Sequence, residues 1–307
     1  MTMTMAYHEP VLLFESVDGL NVKPDGVYVD VTFGGGGHSR EILSRLSDQG
    51  RLFAFDQDAD AQRNVPDDER FTLIAQNFRH LSKFLRFYGL RQVDGILADL
   101  GVSSHQFDSD ARGFSIRFDS ELDMRMDQEA RVSALTVVND YDEERLANVL
   151  FEYGELRNSR ALAREIALIR AKAPIQTTFE LRDAIARHLP RQKQNKVLAQ
   201  VFQAIRIEVN GEMEVLKEFL RQAAAVLSPG GRLSVISYHS LEDRLVKRFI
   251  NNGVFEGEPE KDFYGNVRRP FKRVGKLILP SGDEIIRNNR ARSAKLRIAE
   301  RTEEEAF

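Results

Sequence analysis

Residues Val27–His38 read V-Y-V-D-V-T-F-G-G-G-G-H. A short β-branched and aromatic run stops at four consecutive glycines, and Ser39-Arg40-Glu41-Ile42-Leu43 then opens a helix-like pattern. A strand, a glycine turn and a helix in that order let a ligand approach the backbone closely, beside a helix N-terminus. The next apolar run, Leu52-Phe53-Ala54-Phe55, ends in Asp56. An acid about 20 positions past a glycine turn suits a ribose diol.

Outward from this stretch the N-terminal third alternates. Strand candidates are Val27–Val31, Leu52–Phe55, Phe71–Ile74 and Gly95–Ala98, with helix-like stretches between them. This order predicts a parallel sheet covered by helices on both faces. After about Asp108 the alternation stops. Residues 108–135 are polar and acidic and are expected to form a long loop, and residues 141–211 read as helices. Ser159 is expected to cap a helix whose Leu162, Ile166 and Ile169 share one face, and Thr177 with Glu180 forms a capping box. Val197, Val201, Ile205 and Val209 recur at spacing four in a third helix. The alternation resumes with a helix at Glu212–Leu227, a Ser228–Gly231 turn and a strand at Arg232–Ser237. A weaker hairpin signal follows at Lys276–Leu279 and Ala294–Ile298. The expected fold is α/β: a Rossmann-like sheet from residues 1–107 and 212–307, with an all-helical insertion at 108–211.

The 307 residues leave room for two domains, and 42% apolar with 30% charged residues describes a globular chain. No apolar run approaches the roughly 18 residues of a membrane span. The opening Met1-Thr2-Met3-Thr4-Met5 lacks the basic-then-apolar order of a signal peptide, so a cytoplasmic location and no membrane partner are expected. With no cysteine, the chain can form no disulfide, no thiolate zinc site, no iron–sulfur cluster and no thiol nucleophile. The six histidines are scattered, and no metal is expected. Charge is segregated. Residues 108–153 hold 12 acidic and 5 basic side chains, 154–206 hold 4 and 11, and 264–301 hold 3 and 11. Two basic segments in a chain of net charge −3 point to a polyanion surface.

The glycine turn does not fit a dinucleotide. Gly34 and Gly36 supply the first two positions of G-x-G-x-x-G, but Ser39 occupies the third. An acid followed by G-x-G, here Asp30 before Gly34 and Gly36, suits S-adenosylmethionine. That cofactor has no pyrophosphate; it presents a cationic sulfonium and an ammonium, which a strand-end acid attracts. Asp56 is then placed for the ribose hydroxyls and Phe78 to stack on adenine. Val93–Asp99 puts a further acid at the end of a fourth strand, where open α/β sheets bind ligands.

The long motifs carry a resemblance that covers nearly the whole chain. They are His8-Glu9-Pro10-Val11-Leu12, Asp30–His38, Asp56-Gln57-Asp58, Asp99-Leu100-Gly101-Val102-Ser103-Ser104 and Arg112-Gly113-Phe114-Ser115. Further on come Leu122–Asp127, Phe202–Arg206, Ser237–Arg244 and Arg290–Ser293. With these the chain resembles the bacterial 16S ribosomal RNA cytosine-N4-methyltransferases. The resemblance implies cofactor contacts at Gly36, Gly37, His38, Asp56, Phe78, Asp99 and Gln106. It also implies an insertion that helps bind RNA, and 16S rRNA within the small ribosomal subunit as partner; a homodimer stays open. Gly35 and Asn288-Asn289 depart from the family pattern without removing a proposed ligand.

Cytosine N4 is a poor nucleophile, because its lone pair is delocalised into the ring. Transfer needs in-line approach to the methyl and acceptors for the amino hydrogens. Asp99, or a carbonyl beside it, is the expected acceptor. Ser103, Ser104, Tyr238 and His239 are candidates to frame the base; alternatively the serines cap a helix and His239 satisfies backbone groups. The lack of cysteine excludes carbon-5 methylation through a ring adduct. Methylation of another RNA nitrogen, a nicotinamide oxidoreductase and a non-catalytic RNA-binding factor are the alternatives.

Overall fold

The computed structural model describes residues 10–101, 112–261 and 263–303. Two compact units divide the chain: residues 1–101 with 213–307, and residues 102–212. The expected boundaries at 107/108 and 211/212 lie within a few residues of this division.

The first unit is built on a seven-stranded sheet. Its strands are β1 (Val27–Asp30), β2 (Arg51–Phe55), β3 (Phe71–Ile74), β4 (Val93–Asp99), β5 (Leu227–Ser237), β6 (Phe271–Ile278) and β7 (Lys295–Arg301), in spatial order β3-β2-β1-β4-β5-β7-β6. Strands β1 to β5 are parallel, and β7 runs antiparallel to both β5 and β6. Side chains alternate across the sheet as a period of two requires. Tyr28, Leu52 and Ala54 join one core with α1 (Leu13–Leu20) and α2 (Gly37–Arg45). Val29, Phe53 and Phe55 join another with α3 (Leu81–Phe87) and with the later helices of this unit. Both faces are thus covered, which is why these parallel strands read as near-continuous apolar runs. The order reverses between β1 and β4, and such a switch point opens a crevice at the carboxyl ends of the strands.

Two details differ from the sequence expectations. The Ser228–Gly231 turn is an excursion within β5: Val93 pairs Leu227 and Gly95 pairs Arg232, so the extra residues bulge out of the ladder. The β6–β7 pair is antiparallel as expected, but a short helix and a 3₁₀ turn join it rather than a tight turn. Asn289 opens that 3₁₀ turn and Asn288 caps it by accepting from the Arg290 N–H. A proline would also fit there, so either sequence serves.

The second unit is helical: α4 (Ala134–Asp140), α5 (Glu143–Glu152), α6 (Ser159–Arg170), α7 (Thr178–Ile185) and α8 (Gln194–Asn210). The Thr177–Glu180 capping box forms as read. Ser159 does not cap. It is already inside α6 and buried, while Asn158 occupies the cap position without a side-chain bond. The polar stretch 112–133 forms no helix or strand apart from an isolated bridge at Glu121–Thr177. Its apolar residues are nevertheless plugs: Leu122 and Met124 are fully buried in the helical core. Asn210 locks the backbone at Met124, its side chain accepting from Met126 N–H and donating to the Met124 carbonyl. Composition marks this segment as surface, but two side chains in it anchor the unit. A further helix, α9 (Glu212–Val226), leads the chain back into the first unit, where Leu216, Phe219, Leu220 and Ala223 pack on the sheet.

We expect Leu122→Ala to destabilise the helical unit by about 2–5 kcal/mol, the range for a buried leucine. Hydrogen exchange of α4 and α8 amides reads this directly, because protection there must fall while β1–β4 protection stays unchanged.

Candidate active site

The switch-point crevice is built from backbone that leaves the sheet at β1. Gly34 and Gly36 have positive φ, at 50° and 73°, a region costly for most side chains. A Cβ on Gly37 would come within 2.1 Å of Pro10 Cγ, so glycine there permits the close packing of residues 10–12 on the turn. The turn is tied down from two sides: Gly34 N–H donates to Asp56 Oδ2 at 2.8 Å, and Asn64 Nδ2 donates to the Gly34 carbonyl at 2.9 Å. Gly36 is the cap of α2, and no side chain caps the first turn. Those N–H groups suit an anion such as a carboxylate.

Three acids stand at the ends of neighbouring strands. Asp30 ends β1, fully buried, and both its oxygens are engaged. Oδ1 accepts from Thr32 N–H and, at 3.4 Å, from the Thr32 hydroxyl; Oδ2 accepts from the Ser39 hydroxyl at 2.7 Å. Burial holds its carboxyl above the usual range despite these bonds and the His38 charge. The sequence reading made Asp30 a direct partner of the cofactor's cation. In the structure its oxygens hold the start of the turn and α2, so its influence on a ligand is through its field. Asp56 follows β2; Oδ1 accepts from Asp58 N–H and Oδ2 from Gly34 N–H, both at 2.8 Å. Burial pushes it up to about 6, against the pull of those two bonds. Asp99 ends β4 and its side chain is about a quarter exposed (24%). Burial pushes it up to about 6, offset by the His38 charge and a 2.7 Å bond from the Tyr238 hydroxyl to Oδ1. Among the described residues none of the three pairs with a lysine or arginine.

His38, on the first turn of α2, is buried. Its Nε2 lies 3.2 Å from the Val11 carbonyl and its Nδ1 3.9 Å from Asp99 Oδ2. Phe78 follows β3 half-buried, edge-on to Phe219 with ring centroids 5.4 Å apart. His239 takes up the backbone role that the sequence offered as the alternative, capping α10 (Ser240–Asn252) by accepting the Glu242 N–H at its Nδ1, a weak bond of 3.4 Å. Ser103, Ser104 and Gln106 lie outside the described residues. Sequence reasoning missed Thr32, Ser39 and Glu242. Thr32 also accepts the Asp99 N–H on its hydroxyl at 2.7 Å, linking the ends of β1 and β4. A hydroxyl two residues past a strand-end acid is the signal that could have found it.

The donor set fits a cationic amino-acid nucleoside. Uncapped helix N–H groups face one pole, unpaired carboxylates supply the other, and the turn admits close backbone approach. Fold and site together define a transferase of the S-adenosylmethionine-dependent class. The chain belongs to the MraW methylase family, whose sequence profile matches residues 5–302. It is 65% identical over 301 residues to the ribosomal RNA small subunit methyltransferase H of Flavobacterium johnsoniae, covering 98% of this chain and 100% of that one. The protein of the same name from Christiangramia forsetii is 62% identical over 299 residues (97% and 99% covered), and that from Bacteroides fragilis 58% over 296 (96% and 97%). The cofactor is S-adenosylmethionine.

A cation beside Asp56 and Asp99 favours their ionised forms. Below about pH 6 both carboxyls hold protons in the free protein, so binding the sulfonium must expel them. S-Adenosylmethionine affinity should therefore fall as pH drops through about 6, and more steeply than affinity for S-adenosylhomocysteine, whose sulfur is neutral. Calorimetry across that range checks this; parallel profiles for the two ligands would contradict it.

Proposed function

We propose that this protein transfers the methyl group of S-adenosylmethionine to the exocyclic N4 of a cytidine in the decoding region of 16S ribosomal RNA, acting in the cytoplasm on the small ribosomal subunit. The observation that carries the reading is Asp99: a strand-end carboxylate at the switch point, oriented by Tyr238, faced by His38 at 3.9 Å and without a lysine or arginine partner among the described residues. The relatives' names supply the ribosomal RNA of the small subunit. The N4 position and the decoding region rest on the long sequence motifs.

The bound cofactor supplies an electrophilic methyl on a sulfonium. Asp99 accepts an amino hydrogen of the cytosine, so that the nitrogen lone pair turns out of the ring plane toward that methyl. As the nitrogen–carbon bond formed, the carbon–sulfur bond would break and release the neutral thioether S-adenosylhomocysteine, and Asp99 would take the proton that N4 then sheds. A carboxyl at about 6 is ionised before the step at neutral pH and returns its proton to water afterwards. Tyr238 fixes one oxygen by its 2.7 Å bond, leaving Oδ2 for the substrate. The Val11 carbonyl holds the His38 ring, which lowers the cost of charge on Asp99.

Substrate RNA is held electrostatically. Arg157, Arg160 and Arg164 are exposed at helical spacing along the outer side of α6, and Lys172 follows just beyond it. Arg191, Lys193 and Lys196 are exposed before and within the start of α8. The loop preceding them lies against α6, because Asn158 Nδ2 donates to the His188 carbonyl and Glu165 pairs with Arg187. None of these seven cations has an acidic partner among the described residues. Such a face suits a phosphate backbone. In the second basic segment Arg273, Lys276 and Arg292 are exposed, and other cations are committed within the fold. Arg297 and Lys295 pair with Asp243, Lys272 pairs with Glu300, and Arg301 donates to the Ala224 and Pro270 carbonyls.

Incubating small subunits from cells lacking the gene with labelled cofactor, then mapping the RNA by mass spectrometry, should give N4-methylcytidine. A label on carbon 5, or none in RNA, would sink the reading. Asp99→Ala should lower kcat at saturating cofactor by about 10²–10⁴-fold, the range for a lost proton acceptor. Arg160→Glu with Arg164→Glu should weaken RNA binding and flatten its salt dependence by about 1.5–2 logarithmic units per decade, with cofactor affinity unchanged.

A further inference from the structure

We infer that Glu242 is a positioning residue for methyl transfer: its buried carboxylate holds residues 238 and 239 so that the Tyr238 hydroxyl stays aimed at Asp99. This rests on the reading of Asp99 and Tyr238 as part of the transfer site.

Strand β5 ends at Ser237, whose partner in the ladder is Lys295. The chain then reaches α10 through only two residues, Tyr238 and His239. Their N–H groups lie beyond the ladder and before the helix, where buried donors need acceptors. Glu242 Oε2 accepts both, at 2.8 Å from Tyr238 and 3.3 Å from His239. The carboxylate is 2% exposed. A capping-box acid ordinarily sits at a helix surface, where its removal weakens only the helix start. Here it is enclosed, and the peptide it grips carries the side chain that touches Asp99. The cap itself is weak: His239 is a poor capping residue, and its Nε2 lies 3.1 Å from Glu242 Oε1 without the alignment of a hydrogen bond. The firm restraint on this two-residue link is therefore the Glu242 carboxylate.

Glu242 has a second effect, through charge. Its field raises the proton affinity of Asp99 and of Tyr238. The groups facing Asp99 are His38 on α2, Asp30 at the end of β1, and Tyr238 and Glu242 beside β5. Glu284, near the chain's end, acts on Tyr238. Glutamine keeps an acceptor oxygen for the two N–H groups and deletes only the charge, whereas alanine deletes both.

The test compares Glu242→Gln, Glu242→Ala and Tyr238→Phe in the full chain, with cofactor binding by calorimetry and kcat against pH on small subunits. Glu242→Gln should keep cofactor affinity within a few-fold. It should move the acidic limb of the profile to lower pH by roughly half a unit, because Asp99 loses a like-charged neighbour. Glu242→Ala should lower kcat about as much as Tyr238→Phe, with little change in cofactor affinity. If Glu242→Gln matches wild type at every pH and Glu242→Ala retains full kcat, the inference fails. If Glu242→Ala does not fold, the Glu242→Gln profile decides alone. Full activity of both Asp99→Ala and Tyr238→Phe would overturn the site reading itself. Loss in those two, with an unmoved Glu242→Gln profile and full kcat in Glu242→Ala, would overturn only the role of Glu242.

Discussion

Burying carboxylates that have no lysine or arginine partner among the described residues is the constraint around which the first unit is arranged. Asp30, Asp56 and Asp99 end three adjacent strands, and burial works against the charge of each. The protein offsets part of that cost with fixed dipoles: Gly34 and Asp58 N–H on Asp56, Thr32 and Ser39 on Asp30, Tyr238 on Asp99. It does not offset all of it. An acid whose folded pKa is raised binds protons more tightly folded than unfolded. Its favourable contribution is thus present at low pH and is lost as pH rises from about 4 through about 6. At neutral pH the site is a net destabilising element, and a bound cation relieves it. Cofactor binding should accordingly stabilise this unit beyond what contact area alone supplies.

The strands and the glycine turn were legible in the sequence because local rules fix them. Apolar period, glycine clusters and terminal acids each act over a few residues. Asp30, Asp56 and Asp99 were placed correctly at strand ends, yet the manner in which Asp30 acts was not legible. Whether a carboxylate meets a ligand or the chain itself depends on neighbours such as Ser39, nine positions away across a turn. Glu242 was hidden for the same reason: it reads as an ordinary first-turn acid, and only its enclosure beside Tyr238 distinguishes it. The stretch 112–133 misled in the opposite direction. Its composition is that of a solvated loop, but Leu122 and Met124 reach the helical core, where Gln176 and Leu135 hold the Leu122 backbone and Asn210 holds that of Met124 and Met126.

The two basic segments show how far a charge count can be trusted. Each carries 11 cations, so the sequence treats them alike. In the structure each is divided. Arg297, Lys295, Lys272 and Arg301 are committed to Asp243, Glu300 and the Ala224 and Pro270 carbonyls, and Arg170, Arg182 and Arg206 are committed likewise in the first segment. Arg160 and Arg164 stand in solvent on one face of α6. Uncommitted charge is what a polyanion can neutralise, since a cation already paired releases little on binding.

The glycine turn acquires its meaning from this arrangement rather than from its own sequence. Four glycines allow backbone close to a ligand but do not say which ligand. Gly37 is required by Pro10, and Gly34 is fixed by Asp56. The chemical choice is made by the acids around it: two unpaired carboxylates near pKa 6 suit a cation and disfavour a pyrophosphate. A turn of the same shape surrounded by arginines would accept a different ligand. Here the field of Asp30, Asp56 and Asp99 suits a sulfonium, and in the proposed transfer the same Asp99 takes the displaced proton.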